Sequence, residues 1–428
     1  MMTAASSSLP GPHNITRAVL DNGVVVLVYE NHAAQSVVIS GAVRAGSELE
    51  PAERNGLAAL TADALMRGTE TRDFAQIHAA LEDIGADLSI SAGIHRTSFY
   101  GKALAEDLTT LVDVLADVLQ RPTFPPAQVD RLRGEIITGL QYRSQDTRYR
   151  ANRAFHEALY PTGHPYHYSV RGSIETVSAL DAAQLAAFHQ QYYGPRGAII
   201  VVVGAVHTPE AVGIIEALLS GWRHDEQASP PVPPEPPCLT ERRLSQVTLP
   251  GKTQSDLVMG VAGPSRFAAD YHAATLVNSV LGQFGMMGRI GAAVREQRGL
   301  AYYAYSQLDA GFGPGPWSIS AGVNPANVAL ALECIEAELR RITSEPVSPE
   351  DLADNQSYYV GRLPLRLESN EGIASTLLQM EMYDLGLDYL LTYRDRIYSL
   401  TPDDLLVAAQ HYLKLDALVI GIAGPNAS

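Results

Sequence analysis

Residues 55–69 read Asn55-Gly-Leu-Ala-Ala-Leu-Thr-Ala-Asp-Ala-Leu-Met-Arg-Gly-Thr69. Small and apolar side chains dominate this segment, and they predict a helix. In a helix, positions i, i+3 and i+4 share one face, so Ala59, Ala62 and Asp63 lie on the same side. Two alanines at such positions are typical of an amphipathic helix that packs its small face against a protein core.

The same segment resembles the zinc helix of the pitrilysin/insulysin family of metallopeptidases, the inverted zincins. In that family the segment reads N-G-L-A-H-x-x-E-H-x-L-x-x-G-T. The positions outside the metal site match it, and they are Asn55, Gly56, Leu57, Ala58, Leu65, Gly68 and Thr69. The three chemical positions do not match, because Ala59, Ala62 and Asp63 stand where the family has His, Glu and His.

The resemblance predicts that the zinc site of this helix is degenerate. In the family two imidazoles bind the zinc ion, and the Glu activates a metal-bound water. A catalytic zinc needs about three protein ligands, and the family's third ligand, a Glu on a later helix, matches Gly139 here. We therefore expect no metal at Ala59, Ala62, Asp63 and Gly139. A replacement site built on Asp63 and Glu135, which lies about one helical turn before Gly139, remains an alternative.

A second pair of residues carries the resemblance in the C-terminal half. Residues 294–303 read Val294-Arg-Glu-Gln-Arg-Gly-Leu-Ala-Tyr-Tyr303. In family members whose active site is completed from the second half, an Arg and a Tyr have the spacing of Arg295 and Tyr302. The local pattern predicts a helix with Gly299 as a C-cap of positive φ, followed by a strand that begins near Ala301.

The chemistry of Arg295 and Tyr302 suits peptide hydrolysis. A guanidinium is always charged and offers five donors, and the phenol adds one more. The resemblance implies that the pair supports the substrate carbonyl and the developing oxyanion, where losing one donor typically costs about 10²–10³ in rate. The alternative is a surface Arg295 that pairs with Glu296, beside a Tyr302 in the core.

Composition excludes several classes of function. The chain has 428 residues, 46% of them hydrophobic, and a formal net charge of −16. This acidic balance argues against nucleic acid or a membrane surface as a partner. Cys238 and Cys334 are the only cysteines, too few for a disulfide framework. No apolar run predicts a transmembrane helix, and residues 1–13 lack a signal-peptide pattern. We expect a cytoplasmic protein, or a periplasmic one if a signal peptide has been removed.

A proline-rich segment divides the chain nearly in half. The stretch Ser229-Pro-Pro-Val-Pro-Pro-Glu-Pro-Pro237 favours extended polyproline geometry. We predict a semi-rigid linker at residues 229–241. It joins an N-terminal peptidase-like domain, residues 14–228 with the degenerate zinc helix, to a C-terminal homologous domain, residues 242–426 with the Arg–Tyr pair.

The two halves resemble each other at an offset of 220 residues. Leu180–Tyr192 aligns with Leu400–Tyr412, and Ala198–Gly204 aligns with Leu418–Gly424. Each half opens with β-branched strands and continues with helical patterns. We therefore predict an α+β fold of two tandem homologous domains, each a mostly antiparallel sheet with helices packed on one face. The resemblance implies that the domains form a clamshell-like chamber.

The resemblance implies a non-catalytic subunit of a heterodimeric zinc metallopeptidase. A homologous partner would carry H-x-x-E-H and its zinc, and this chain would supply Arg295 and Tyr302 in trans to act on peptide substrates. One alternative is a homodimeric peptide-binding or structural protein without peptidase activity, which captures extended peptides at a sheet edge. Another is an enzyme of a different kind, or a peptidase with an unrecognised metal site.

Overall fold

A computed structural model describes residues 9–236, 238–285 and 287–425 of the chain. Pro237 of the predicted linker and Asn426, the last residue of the predicted C-terminal domain, lie outside these ranges. Within the described ranges, none of the helices combines the length and the hydrophobicity that crossing a membrane requires.

The N-terminal half supplies a six-stranded mixed sheet. Its strands are β1 (Ile15–Val19), β2 (Val25–Glu30), β3 (Ser36–Val43), β4 (Asp87–Ala92), β5 (Thr97–Leu104) and β6 (Ile199–Gly204). Their order in the sheet is β1-β2-β6-β3-β5-β4. Strands β2 and β6 are parallel, and the other neighbours are antiparallel.

The C-terminal half supplies a five-stranded sheet. Its strands are β7 (Arg243–Thr248), β8 (Ser255–Ala262), β9 (Ala301–Leu308), β10 (Pro316–Val323) and β11 (Val419–Gly424). The order is β7-β11-β8-β10-β9, with β7 and β11 parallel and the rest antiparallel. This order and these directions repeat those of β2, β6, β3, β5 and β4. The prediction of two homologous α+β domains with mostly antiparallel sheets is confirmed.

The helices fall between the strands in both halves. Those of the N-terminal half are α1 (Leu57–Ala64), α2 (Phe74–Glu82), α3 (Leu108–Gln120), α4 (Pro126–Ser144), α5 (Thr147–Leu159), α6 (Ile174–Ser178), α7 (Ala182–Tyr192) and α8 (Thr208–Leu219). Those of the C-terminal half are α9 (Tyr271–Gly282), α10 (Gly288–Gly291), α11 (Val328–Ser344), α12 (Pro349–Arg366), α13 (Asn370–Met382), α14 (Tyr389–Tyr398) and α15 (Pro402–Tyr412).

The internal repeat extends to the ends of the elements. Helices α7 and α15 begin and end 220 residues apart, and so do strands β6 and β11. Both helices begin with a capping box, at Asp181 and at Thr401, in which the cap side chain and the third helical residue exchange hydrogen bonds. The same local chemistry therefore starts the same helix in each half.

Each sheet has helices packed on both faces, whereas the sequence predicts helices on one face only. One face of the first sheet packs on helices of its own half, including α1, α3 and α8. On the other face, Ile199, Val201 and Val203 of β6 pack with Ile373 and Leu377 of α13, which belongs to the C-terminal half. Strand β6 is consequently buried along its whole length.

The second sheet is likewise covered by a helix from the other half of the chain. Helix α5, from the N-terminal half, packs on β7, β8 and β11. The approach is close at Gly421, where an added Cβ would lie 2.4 Å from the carbonyl oxygen of Ala151 and 2.6 Å from the backbone nitrogen of Phe155. Only a residue without a side chain allows the two backbones this separation.

Contacts accordingly divide the chain into two compact units that are not continuous in sequence. One unit contains residues 1–138, 169–232 and 363–393. The other contains residues 139–168, 233–362 and 394–428. Residues 139–168 and 363–393 each group with the sheet of the other half, so the division by contacts differs there from a single division at the proline-rich linker.

We predict that Gly421→Ala lowers the free energy of unfolding by about 1–3 kcal/mol, since the added methyl group forces α5 away from β11. Urea denaturation followed by circular dichroism measures the change. Gly134→Ala is the matched control: a Cβ at this exposed position of α4 meets no atom within 4 Å, and alanine there should stabilise the helix by about 0.5–1 kcal/mol. Equal effects of the two substitutions would contradict the close helix–strand approach.

Candidate functional site

Helix α1, which carries three of the degenerate zinc positions, is buried on almost every side. Ala59 and Ala62 are 3% and 0% exposed, and Asp63 is the only residue of the helix that is not fully buried. The expectation of an amphipathic helix with one buried face is wrong in this respect, because every residue of α1 except Asp63 is buried. The alanines fill space that larger side chains could not enter without repacking.

The retained residues before α1 hold the start of the helix through Glu50. The Glu50 carboxylate accepts hydrogen bonds from the backbone N–H of Gly56 (2.9 Å) and Ala58 (2.7 Å) and from Nδ2 of Asn55 (2.8 Å). Asn55 also donates to the carbonyl of Ser169 (2.9 Å). These bonds satisfy N–H groups that a helix leaves unpaired at its first turn. Burial raises the pKa of Glu50 to about 7, although these donors act to lower it.

Thr69, the last of the matching positions, belongs to a second buried network. Its hydroxyl donates to the carboxylate of Asp117 at 2.6 Å, as the hydroxyl of Thr71 does. Arg72 and Arg121 donate to the same carboxylate. Burial acts to raise the pKa of Asp117, but the hydrogen bonds outweigh it and the pKa is lowered. Asn55 and Thr69 are thus explained by hydrogen bonding within the fold and require no metal.

The two carboxylates of the alternative metal site are engaged by arginines. Asp63 forms an ion pair with Arg171. Burial raises the pKa of Asp63, and the positive charges of Arg171 and Arg67 act in the opposite direction. Glu135 accepts a hydrogen bond from Arg131 (3.1 Å) and lies 3.4 Å from Arg67. Three guanidinium groups therefore surround the positions where a cation would need free anionic ligands.

The residues at the degenerate positions do not fit a catalytic zinc ion. Ala59, Ala62 and Gly139 have no side-chain donor atom, and Asp63 already neutralises Arg171. Gly139 lies on α4 with its Cα exposed, and a Cβ there would contact nothing within 4 Å. A single carboxylate falls short of the roughly three ligands that such a zinc requires.

Arg295 lies on an irregular helical turn. The predicted helix is α-helical only over α10 and continues as a π-helical turn over Ala292–Glu296. The N–H of Gln297 donates to the carbonyl of Ala292 (3.0 Å), the i to i+5 pattern of a π turn. The segment ends at Gly299, whose φ is 61°, and the N–H of Gly299 bonds to the carbonyl of Arg295 (2.9 Å). The predicted glycine C-cap is confirmed.

Tyr302 is the extra residue of a β-bulge. In the pairing of β9 with β10, Gly322 lies opposite Tyr303 and Val323 lies opposite Ala301, so Tyr302 has no partner. Its side chain is 84% exposed, which makes the alternative of a core tyrosine wrong. Bulges of this kind re-aim a side chain.

Arg295, in contrast to Tyr302, is half-buried. Among the described residues, no salt bridge joins Arg295 to Glu296, so the pairing that the alternative interpretation required is absent from them. Arg295 and Tyr302 share neither a hydrogen bond nor a ring contact within those residues. The structure gives their positions, and their role in catalysis remains a prediction.

Sequence reasoning missed a polar network directly beside Tyr302. The phenol of Tyr303 donates to the buried carboxylate of Asp256, which also accepts a hydrogen bond from Thr147 of α5 (2.5 Å). Burial raises the pKa of the Tyr303 phenol, which stays protonated as a donor. The guanidinium of Arg148 lies 4.7 Å from the Tyr303 ring centroid and donates to the hydroxyl of Tyr305. These bonds fix strand β9 at the point where Tyr302 projects.

The network forms one wall of a groove of about 370 Å³. The groove is lined by Tyr142, Arg143, Asp146, Arg148, Tyr149, Asn152, Val258, Tyr305 and Ser320. No motif marks these residues, because Arg148 and Tyr305 are 157 positions apart in the chain. The only local signal was the spacing of Tyr303 and Tyr305, because residues two apart in a strand point to the same face of the sheet.

Comparison with known proteins gives matches along nearly the whole chain. Residues 25–170 match the family described as Insulinase (Peptidase family M16), and residues 179–359 match the Peptidase M16 inactive domain. The chain is 26% identical over 418 residues to an uncharacterized zinc protease of Streptomyces coelicolor, covering 95% of this chain and 89% of that protein.

Two further matches concern a peptidase subunit and a solved structure. The chain is 23% identical over 439 residues to the mitochondrial-processing peptidase subunit beta of Saccharomyces cerevisiae, covering 97% of this chain and 91% of that protein. A peptidase M16 inactive domain from Pseudomonas fluorescens has a similar crystal structure, with a TM-score of 0.87, 25% identity and coverage of 97% of this chain and 98% of that one.

The raised pKa of Glu50 predicts a specific pH dependence of stability. Because the folded-state pKa is about 7 and the ordinary value is 4.5, the unfolded chain releases this proton first as the pH rises. The stabilisation is therefore complete below about pH 4.5 and is lost by about pH 7. Relative to Glu50→Gln, which does not titrate, the wild-type free energy of unfolding should fall by up to about 3 kcal/mol across this interval. Urea denaturation at several pH values measures the difference, and a difference that is constant with pH would contradict it.

Proposed function

The chain belongs to peptidase family M16, the pitrilysin/insulysin family that residues 55–69 resemble, and from this premise we propose that it is the non-catalytic subunit of a heterodimeric zinc metallopeptidase. In this proposal a homologous partner carries H-x-x-E-H with its zinc and its general-base Glu. This chain contributes Arg295 and Tyr302 to the bound peptide and has no peptidase activity alone.

The observation that carries the proposal is the way in which the backbone presents Arg295 and Tyr302. Arg295 lies on a π-helical turn and Tyr302 on a β-bulge. Both irregularities replace regular hydrogen bonding with less favourable geometry, and such irregularities are frequent at functional sites. Tyr302 is 84% exposed beside this hydrogen-bonded network, so its hydroxyl is accessible to a molecule outside the strand. Exposure of a hydroxyl donor on a fixed strand is what binding to a substrate requires.

The chemistry that these two side chains offer is electrostatic support of a peptide carbonyl. The guanidinium of Arg295 can donate two parallel hydrogen bonds, and the phenol of Tyr302 can donate one. Donors fixed before the reaction stabilise the negative charge that develops on the carbonyl oxygen during hydrolysis. The Tyr303–Asp256 bond, by holding β9, limits how far Tyr302 can move away from such a position.

The environment of α1 supports the absence of catalysis by the isolated chain. Asp63 is paired with Arg171, and Ala59 and Ala62 are packed in the core. A relative of this chain is named as the beta subunit of a processing peptidase. That name supports an assembly in which one chain holds the zinc and another supplies substrate-binding residues. The remaining alternative, a homodimeric peptide-binding protein, would use the same exposed Tyr302 without a catalytic partner.

We expect activity to require both chains and to depend on both residues. The test mixes the full-length chain with an H-x-x-E-H homologue from the same genome and follows cleavage of an internally quenched peptide. Arg295→Ala and Tyr302→Phe should each lower kcat of the mixture by about 10²–10³, because each removes one donor from the transition state. The chain alone should not cleave the peptide.

Matched controls separate this role from a loss of folding or assembly. Arg131→Ala and Tyr398→Phe change an Arg and a Tyr that are 67% and 42% exposed elsewhere on the surface, and they should leave the rate unchanged. Gel filtration should show the same assembly for every variant. Unchanged rates in Arg295→Ala and Tyr302→Phe would refute the supporting role, and a stable homodimer that binds the peptide without gaining activity would favour the alternative.

A further inference from the structure

The ends of two parallel strands bring together three side chains that ligate metals. Strands β2 and β6 are adjacent and parallel, with Glu30 paired to Gly204, so the loops that follow both strands leave the same edge of the sheet. Glu30 ends β2 and His32 follows it by two residues. His207 follows β6 and is the residue directly before α8. One ligand atom from each of Glu30, His32 and His207 lies within 4.8 Å of those of the other two.

The carboxylate of Glu30 is held in a defined orientation. Its Oε1 accepts a hydrogen bond from the backbone N–H of Thr208, the first residue of α8, at 2.8 Å. Its Oε2 remains directed toward the two imidazoles, 3.4 Å from Nε2 of His32 and 3.6 Å from Nδ1 of His207. A hydrogen bond that fixes the second oxygen is the support that ligating carboxylates have in metal sites.

The loop that carries His32 is also fixed by bonds to its neighbours. The N–H of Asn31 donates to the carbonyl of Gly204 (2.8 Å), and its side-chain amide donates to Asn370 (2.7 Å). The rings of His32 and His207 have centroids 5.3 Å apart and are tilted by 44° to each other. The backbone positions of the three side chains are therefore set before any ion binds, and only exposed side-chain torsions remain to adjust.

The distances suit a tetrahedral ion. Zinc bonds of about 2.0–2.2 Å to nitrogen and oxygen place neighbouring ligand atoms roughly 3.3–3.6 Å apart. Both Glu30–His distances already lie in that interval. The two imidazoles must approach each other by no more than about 1.5 Å, which rotation of the exposed rings provides. His32 and His207 are 52% and 75% exposed, so little packing opposes the rotation.

We propose that Glu30, His32 and His207 form a binding site for a divalent transition-metal ion, with Zn²⁺ as the principal occupant and at least one position open to water. Two imidazoles and one carboxylate favour Zn²⁺, Ni²⁺ or Cu²⁺ over Mg²⁺ and Ca²⁺, which prefer all-oxygen sites. The site involves neither α1 nor the Arg295–Tyr302 pair, so the inference stands independently of the proposed function. The alternative is a surface contact between Glu30 and two histidines that binds no ion.

The test measures Zn²⁺ binding to the full-length chain without an affinity tag. After treatment with a chelator and dialysis, isothermal titration with zinc chloride should detect one site per chain. His32→Ala and His207→Ala should each weaken this binding by at least about tenfold, because each removes one of three ligands. The double variant should abolish it. Glu30→Gln keeps an acceptor for Thr208 but loses the charge, and it should also weaken binding.

The control is His411→Ala, which removes an imidazole that is 62% exposed and paired with Asp270. It should bind Zn²⁺ as the wild type does. Cu²⁺ added to the wild type should give an electron paramagnetic resonance spectrum with hyperfine coupling to two nitrogens, and this coupling should disappear in the double variant. The proposal is overturned if the double variant binds Zn²⁺ like the wild type. It is also overturned if the wild type binds no Zn²⁺ at concentrations up to about 1 mM.

Discussion

The structure depends on the burial of one central strand in each sheet from both sides. Residues 199–204 read Ile-Ile-Val-Val-Val-Gly and residues 419–424 read Val-Ile-Gly-Ile-Ala-Gly, and all of them are buried. Strands of this kind need apolar cover on two faces. One face of each sheet packs on helices of its own half of the chain. The other face packs on a helix of the opposite half, α13 for the first sheet and α5 for the second. The fold of each unit therefore requires residues on both sides of the proline-rich segment.

The scaffold and the chemistry of α1 are separable in this chain. Glu50, Asn55 and Thr69 form hydrogen bonds that hold the helix ends and their neighbouring loops. None of these bonds involves the positions that would carry a metal. Replacing ligands by alanine therefore leaves the hydrogen bonding intact, and Arg171 supplies the positive charge that the remaining carboxylate of Asp63 needs. The family fold persists here although Ala59, Ala62 and Gly139 offer no side-chain ligands at the family's zinc positions, as expected when function resides in a small set of side chains on a stable framework.

Local features of the fold were predictable from the sequence, and long-range features were not. The strand that begins at Ala301 and the C-cap at Gly299 were predicted correctly, because strand propensity and the conformational freedom of glycine act over a few positions. The π turn at Arg295 was not, since an i to i+5 bond reflects packing around the helix as well as its own sequence. The bulge at Tyr302 depends on the register with β10, a strand farther along the chain.

Contacts between side chains that are distant in sequence could not be predicted either, because they depend on the long-range fold. Asp63 meets Arg171 across 108 positions, and no pattern within either segment indicates this. The cluster of Glu30, His32 and His207 appears only when two parallel strands become neighbours. The exchange of α5 and α13 is likewise invisible to periodicity, which assigns a helix without specifying the sheet on which it packs.

The exchange of helices has a consequence for synthesis of the chain on the ribosome. The last strand of the first sheet is complete at Gly204, but Ile373 and Leu377 of α13 follow about 170 residues later. At roughly 5–20 residues per second, the apolar side chains of Leu27, Val38 and Val201 remain uncovered for roughly 10–30 s. A nascent chain in this state exposes hydrophobic surface of the kind that makes folding intermediates prone to aggregate, until translation supplies the missing helix.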